Sequence, residues 1–263
     1  MIKKILLAIC VVSLVSCDPS DDGDSGRTNN DFQYFPLTVN NSWDYDVTTG
    51  ANSSSETLTV ATVTGTEYTL SSNPATPVGF MSQILTGGEL KAESGKLIGN
   101  GVIGFDLQGL NNFNVPITNG VLYDQNATSN EELFSVEGNN TQTVQTYDLD
   151  FNYTVKTKQL SPLSQMTVNG VTYQDIIHSQ LIVNLSITTE FTIAGFTQDV
   201  PILQPADAIV VDNYWSKDVG LIKSDYELNY SLEDFSSLGV SLPVPQSANI
   251  QSEQTLTGYT IVN

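Results

Sequence analysis

Histidine, cysteine and closely spaced carboxylates are the side chains with which this chain could do chemistry, and most of them are scarce. Its 263 residues include one histidine and two cysteines against twenty-nine acidic residues. His178 stands in Asp175-Ile176-Ile177-His178-Ser179, with a serine beside it and an aspartate near it. A Ser-His-Asp constellation is defined by its geometry in space, and a single imidazole can fill only one role in it. The default for His178 is a half-exposed strand residue. A zinc site of His and Cys ligands is excluded by one imidazole and by cysteines confined to positions 10 and 17. The neighbours Glu131-Glu132 and Glu233-Asp234 could act on glycans, which requires two carboxylates about 5–9 Å apart. Among so many acids, some pair meets that distance by chance, so solvated surface is the default. Gly99, Gly101 and Gly104 lack the strand-then-helix setting of a phosphate loop and read as tight turns. Asp18-x-Ser20-x-Asp22-Gly23 opens like a calcium loop but places Asn29 where a bidentate Glu belongs. No catalytic residue, metal site or cofactor is therefore assigned, and no enzymatic activity is expected.

The first two dozen residues carry a different chemistry. Lys3 and Lys4 precede an apolar run from Ile5 to Val15, the length of a signal peptide and too short to cross a bilayer core of about 30 Å as a helix. The run ends in Leu14-Val15-Ser16-Cys17, which resembles the lipobox of bacterial lipoproteins. That resemblance implies cleavage between Ser16 and Cys17, a diacylglycerol on the Cys17 thiol and acylation of the new amino group. Cys10 lies in the segment to be removed, so the mature chain would hold one cysteine and no internal disulfide. Each buried methylene contributes about 0.8 kcal/mol, and two or more acyl chains hold a protein stably at a membrane. Ser20-Asp21-Asp22 directly after the anchor resembles the export signal of Bacteroidota lipoproteins destined for the outer face of the outer membrane. The same acids also serve as a solvated spacer. Residues 18–31 contain no large apolar side chain and read as a flexible tether spanning about 20 Å as a coil. The organisation expected is a signal peptide at 1–16, a lipidated acidic tether at 17–31 and a single antiparallel β domain at 32–263, at the cell surface.

Nine basic residues against twenty-nine acidic ones give a net charge of -20. Such a polyanion has no cationic surface to release counterions from phosphates, so nucleic acid is excluded as a partner. The domain itself reads as all-β. Trp43-Asp44-Tyr45-Asp46-Val47 alternates apolar and acidic residues, and Thr57 to Val63, Glu67 to Leu70 and Tyr147 to Lys156 alternate apolar and polar ones. This is the period of half-buried strands. Thr64-Gly65-Thr66 and Asn169-Gly170 mark hairpin turns, the second with the type I′ signature. Leu181 to Ile193 extends into another long strand or pair, and Thr255 to Val262 supplies the last. Asn73 to Asn119 is Gly- and Pro-rich and reads as short strands joined by turns. One or two short helical pieces fit at most, the best around Leu232 to Leu238. The fold class is a large curved antiparallel sheet, a half-barrel or a sandwich.

Tyr34-Phe35-Pro36-Leu37, Asn41-Ser42-Trp43-Asp44-Tyr45 and the segment Asn213 to Ser224 resemble together a set of uncharacterised Bacteroidota outer-membrane lipoproteins. These open with Tyr-x-Pro-Leu…Trp-x-Tyr and close with an aromatic, Lys, Val-Gly-Leu-Val/Ile-Lys hairpin. Asp218 stands where Gly is common in that turn. The resemblance implies curved antiparallel sheets of a loosely LolA-like kind. Three roles stand open for the chain: a non-catalytic binding or structural domain acting on something outside the cell, such as an envelope protein partner, a carrier of lipid or another apolar ligand, and a glycan-directed module or enzyme. Solvent-exposed Trp43 or Trp215 would favour the last. The membrane, through the lipid anchor, is the one partner common to all. If Cys17 is the anchor, Cys17→Ala releases the protein from the membrane fraction on cell fractionation. Retention of the variant there would refute the anchoring.

Overall fold

The computed structural model describes residues 34–105, 113–144, 147–193, 196–234 and 245–262. Cys17 and the segments expected to be signal peptide and tether lie outside these residues. The described chain forms one antiparallel sheet of thirteen strands. The strands are β1 Ser42–Thr49, β2 Asn52–Thr64, β3 Glu67–Asn73, β4 Gly88–Glu93, β5 Lys96–Phe105, β6 Phe113–Asp124, β7 Glu132–Val144, β8 Tyr147–Gln159, β9 Leu163–Val168, β10 Val171–Ile193, β11 Phe196–Ser216, β12 Gly220–Ser231 and β13 Ser247–Thr260. Helix α1, Phe80–Thr86, lies between β3 and β4.

The topology is mostly a meander of chain neighbours, except that β6 and β7 stand at the two ends of the order and β9 does not pair with β8. The order runs β6-β5-β4-β3-β2-β1-β13-β12-β11-β10-β8-β7, with β9 paired to β10 off this path. Pairing of β1 with β13 joins the two halves, Trp43 facing Tyr259 and Tyr45 facing Leu256. The free ends then meet. Thr157 Oγ1 of β8 donates to the Val121 carbonyl of β6 at 2.5 Å, so the sheet curls nearly to closure as a barrel rather than a sandwich. Closure of this kind removes most exposed strand edge.

Turn chemistry places the strands where the pattern predicts them. Gly65 at φ 65° turns β2 into β3, and Asn169 at φ 49° with Gly170 at φ 79° turns β9 into β10, as a type I′ turn requires. Helix α1 is the departure from expectation. It is seven residues long, lacks a side-chain cap, and has no acid in its first turn or base in its last, so the usual start and stop signals are missing. What holds it is tertiary: Met81 and Leu85, four apart, are buried, and Gln254 Nε2 of β13 donates to Ser82 Oγ at 2.8 Å. Buried Glu56 of β2 secures the preceding loop by accepting the backbone N–H groups of Val78 at 2.6 Å and Gly79 at 3.1 Å. The helix expected around Leu232 to Leu238 is not seen at Leu232, Glu233 and Asp234, which are irregular. Its remainder lies outside the described residues.

Inward residues of the strands fill one continuous apolar core. At one end of the barrel Phe35 stacks on Trp43 with centroids 4.5 Å apart and meets Trp215 edge-on at 5.7 Å. Tyr123 packs on the other side of Trp215 at 5.1 Å. Both indoles are fully buried and both use their N–H: Trp43 Nε1 donates to the Val219 carbonyl at 2.6 Å, and Trp215 Nε1 to Ser179 Oγ at 3.0 Å. Such satisfaction is what makes a buried indole stabilising. Gly220 has φ 125°, and a Cβ there would stand 2.7 Å from Trp43 Nε1. Gly220→Ala therefore costs about 1–3 kcal/mol from overpacking alone, read by urea unfolding. Gly170→Ala, with nothing within 4 Å, loses only the backbone component and is the milder of the two. Equal losses would show that the indole contact is unimportant.

Candidate functional site

His178 of β10 faces outward, and Ser179, the next residue, faces the core, where it accepts the Trp215 N–H. Period-two alternation thus separates the two side chains that a nucleophile and its base would have to bring together. His178 Nε2 instead lies 2.8 Å from Asp212 Oδ1 of β11, and its ring stacks on Tyr214 at 4.4 Å. Gln180 Nε2 donates to the same Asp212 oxygen at 3.1 Å. Glu131 is used locally, accepting both the N–H and the hydroxyl of Thr128, which hold its carboxyl below the usual range. Glu132, Glu233 and Asp234 are exposed. Ser16, Cys17, Ser20, Asp21 and Asp22 lie outside the described residues. Trp43 and Trp215, considered as sugar platforms, are buried and offer no face to solvent.

The structure assembles an outward acidic row that spacing along the chain does not reveal. Asp212 of β11 faces Asp225 of β12, and Asp225 faces Glu253 of β13. Three carboxylates thus stand directly across from one another on consecutive strands, an arrangement that costs stability. They line a groove of about 840 Å³ whose walls come from β1, β11, β12 and β13, including Thr48, Glu227 and Gln251. One cation crosses the row: Lys223 Nζ lies 2.7 Å from Glu253 Oε2 and 3.1 Å from Asp225 Oδ2. Burial works against the charge of Lys223, but its two carboxylate partners outweigh burial and raise its pKa. Burial also raises Asp225 above the aspartate range; Lys223 pulls it down, while Glu253 and Asp212 add to the rise. One ammonium shared between two acids does not offset the row. Among the described residues no group of three or more His, Cys, Asp or Glu is arranged to hold a metal ion.

A second concavity, of about 420 Å³, opens at the barrel end above the aromatic cluster. Three separate elements line it: Val171 to Asp175 of the β9–β10 hairpin, the Ser216-Lys217-Asp218-Val219 turn between β11 and β12, and Tyr259 of β13. Its parts are tied together. Asn169 Nδ2 at the hairpin tip donates to the Leu256 carbonyl at 2.9 Å, Ser216 Oγ to the Gln174 carbonyl at 3.2 Å, and the Lys217 N–H to the Asp175 carbonyl at 3.3 Å. A third groove of about 440 Å³ runs over Asn139, Asn152, Tyr153 and Asn184.

No protein-family model matches the chain, and no curated protein or solved structure matches it. Among the described residues no helix is long and apolar enough to cross a membrane, a statement that does not extend to strands.

The acid row generates a pH dependence with a definite sign. Because the folded pKa of Lys223 is raised, its contribution is complete below the ordinary lysine value and is lost as pH rises through the raised one. Asp225, also raised, is ionised at a cost, so its contribution falls as pH rises from the ordinary aspartate value to the raised one. Lys223→Met leaves the row without its cation. It should lower the melting temperature at neutral pH by roughly 2–4 °C, with the gap closing as acid protonates the three carboxylates. A pH-independent gap in thermal melts would mean that Lys223 acts through packing alone.

Proposed function

We propose that this chain is an extracytoplasmic lipoprotein, anchored at the outer membrane through Cys17, whose β domain has a non-catalytic binding role toward a cationic segment of an envelope protein. The observation that carries the reading is the row Asp212-Asp225-Glu253, compensated only in part by Lys223, along the groove on the outside of the barrel. A row of like charges held on hydrogen-bonded strands is pre-organised and partly desolvated, the condition under which charge complementarity steers encounter and selects partners. A groove of this size accepts an extended segment carrying Lys or Arg, and the partner's cations would relieve the repulsion that Lys223 relieves only in part.

Two features weigh against the other roles. A lipid carrier needs an apolar chamber of several hundred Å³, whereas among the described residues the barrel end is filled by Phe35, Trp43, Tyr123 and Trp215. An enzyme of the Ser-His-Asp kind would need a nucleophile beside its base, and Ser179 faces the core, where it accepts the Trp215 N–H. A photo-crosslinking residue at Gln251 in the groove, introduced into the full lipoprotein in cells, should give one discrete adduct with an envelope protein. The adduct should disappear in the Asp225→Asn/Glu253→Gln variant and persist when the exposed Glu131 and Glu132 are neutralised instead. An adduct insensitive to the row, or no adduct, sinks the reading.

A further inference from the structure

We propose that the concavity at the barrel end is a binding site for an uncharged saccharide unit, independent of the acidic groove. Its lining combines both signs of charge with a ring: Asp175 and Asp218 as acceptors, Lys217 as donor and Tyr259 as a ring, while Thr172 and Gln174 already pair with Thr167 and Gln165 of the neighbouring strand. This mixture discriminates among guests. An ammonium compound would meet Lys217, and a phosphate or carboxylate would meet two aspartates. A neutral polyol uses both, because its hydroxyls donate to carboxylates and accept from an ammonium at the same time.

Size and shape agree. About 420 Å³ lies within the range of small-molecule sites. Tyr259 is 47% exposed, which leaves ring surface for the C–H face of a sugar. Tyr173, largely buried beside it, comes close enough that the Tyr259 hydroxyl helps, after burial, to raise its pKa. Burial likewise leads the rise at Tyr34, with Asp175 and then Asp218 adding to it.

The backbone is committed to this arrangement. Asp175 has φ 51° and Asp218 φ 59°, left-handed values that a non-glycine residue adopts at a cost. Glycine would adopt either without strain; at both places the chain instead carries a carboxylate that lines the same concavity. The turn bearing Asp218 is fixed from below, since the Val219 carbonyl accepts the Trp43 indole N–H and the Val219 N–H closes onto the Ser216 carbonyl at 3.2 Å. A site whose walls are set before the ligand arrives loses less affinity to ordering.

The test uses the full lipoprotein in a detergent without a sugar headgroup. Saturation-transfer NMR is recorded with methyl glucoside, methyl galactoside, methyl mannoside and N-acetylglucosamine, with ethanolamine and glycerol phosphate as charged probes. At least one hexoside should bind and the charged probes should not. Asp218→Gly removes one carboxylate while relaxing the backbone, so the fold is kept, and it should weaken hexoside binding by about tenfold, as loss of a hydrogen bond to a charged group implies. Tyr259→Ala, at an exposed position, should weaken it as well. Asp225→Asn/Glu253→Gln should leave it unchanged, which separates this site from the groove. Silence from every hexoside, binding of ethanolamine or glycerol phosphate instead, or hexoside binding indifferent to both Asp218→Gly and Tyr259→Ala overturns the proposal.

Discussion

The contact on which the rest of the structure leans is Phe35 held between two indoles, one from each half of the chain. Trp43 belongs to the first strand and Trp215 to the eleventh, and Phe35 stacks on one and meets the other edge-on. Aromatic groups of this size bury the largest area per residue available to a core. Because the indole of Trp43 also donates to Val219, the same cluster fixes β1 against the β11–β12 turn across 176 residues of sequence. That fixes the direction in which the meander curls. The pairing of β1 with β13, the near meeting of β6 with β8, and the open concavity at the barrel end all follow from where this cluster draws the strands together.

Around it the barrel keeps its polar groups in two separate layers. Inside, Gln159, Ser179, Asn213, Ser224 and Gln254 face one another in turn across five consecutive strands, all buried. Their neighbours absorb much of this polarity: Ser224 donates to Asn213 at 2.8 Å, Ser179 accepts from Trp215, and Gln254 holds Ser82 of α1. A buried polar belt of this kind fixes register, since a slip of one residue would turn every member outward and every carboxylate inward. Outside, one residue along each of β11, β12 and β13, the acid row stands in solvent-facing register. The register that hides the amides is therefore the one that crowds the acids. Relief of that crowding by a partner is the physical content of the binding role proposed above.

Much of this was legible in advance for a simple reason. Strand patterns such as Trp43 to Val47 and Tyr147 to Lys156, and turns such as Asn169-Gly170, depend on residues adjacent in the chain, and the structure forms strands and turns at these places. The segments Tyr34 to Leu37, Trp43 to Tyr45 and Asn213 to Ser224 could be singled out as motifs. Their common purpose could not, because it lies in a contact between them. Helix α1 escaped notice since its hold is Gln254 and Glu56, residues from distant strands. At its start, a Cβ on Gly79 would stand 2.3 Å from Gln254 Oε1, so any side chain there would push aside the amide that holds Ser82.

What the sequence determined by itself is what depends on neighbours in the chain: an acidic, strand-rich chain, the two faces of strands such as Trp43 to Val47 and Tyr147 to Lys156, and turns such as Asn169-Gly170. Period-two alternation and left-handed turn residues act over a few positions, so one chain segment carries the whole cause. The tertiary structure decided which faces meet. It set Asp212, Asp225 and Glu253 in a row and brought Asp175, Asp218 and Tyr259 to one concavity. These placements depend on strand register and on the curl of the sheet, which are set by packing summed over the whole barrel rather than by any one segment.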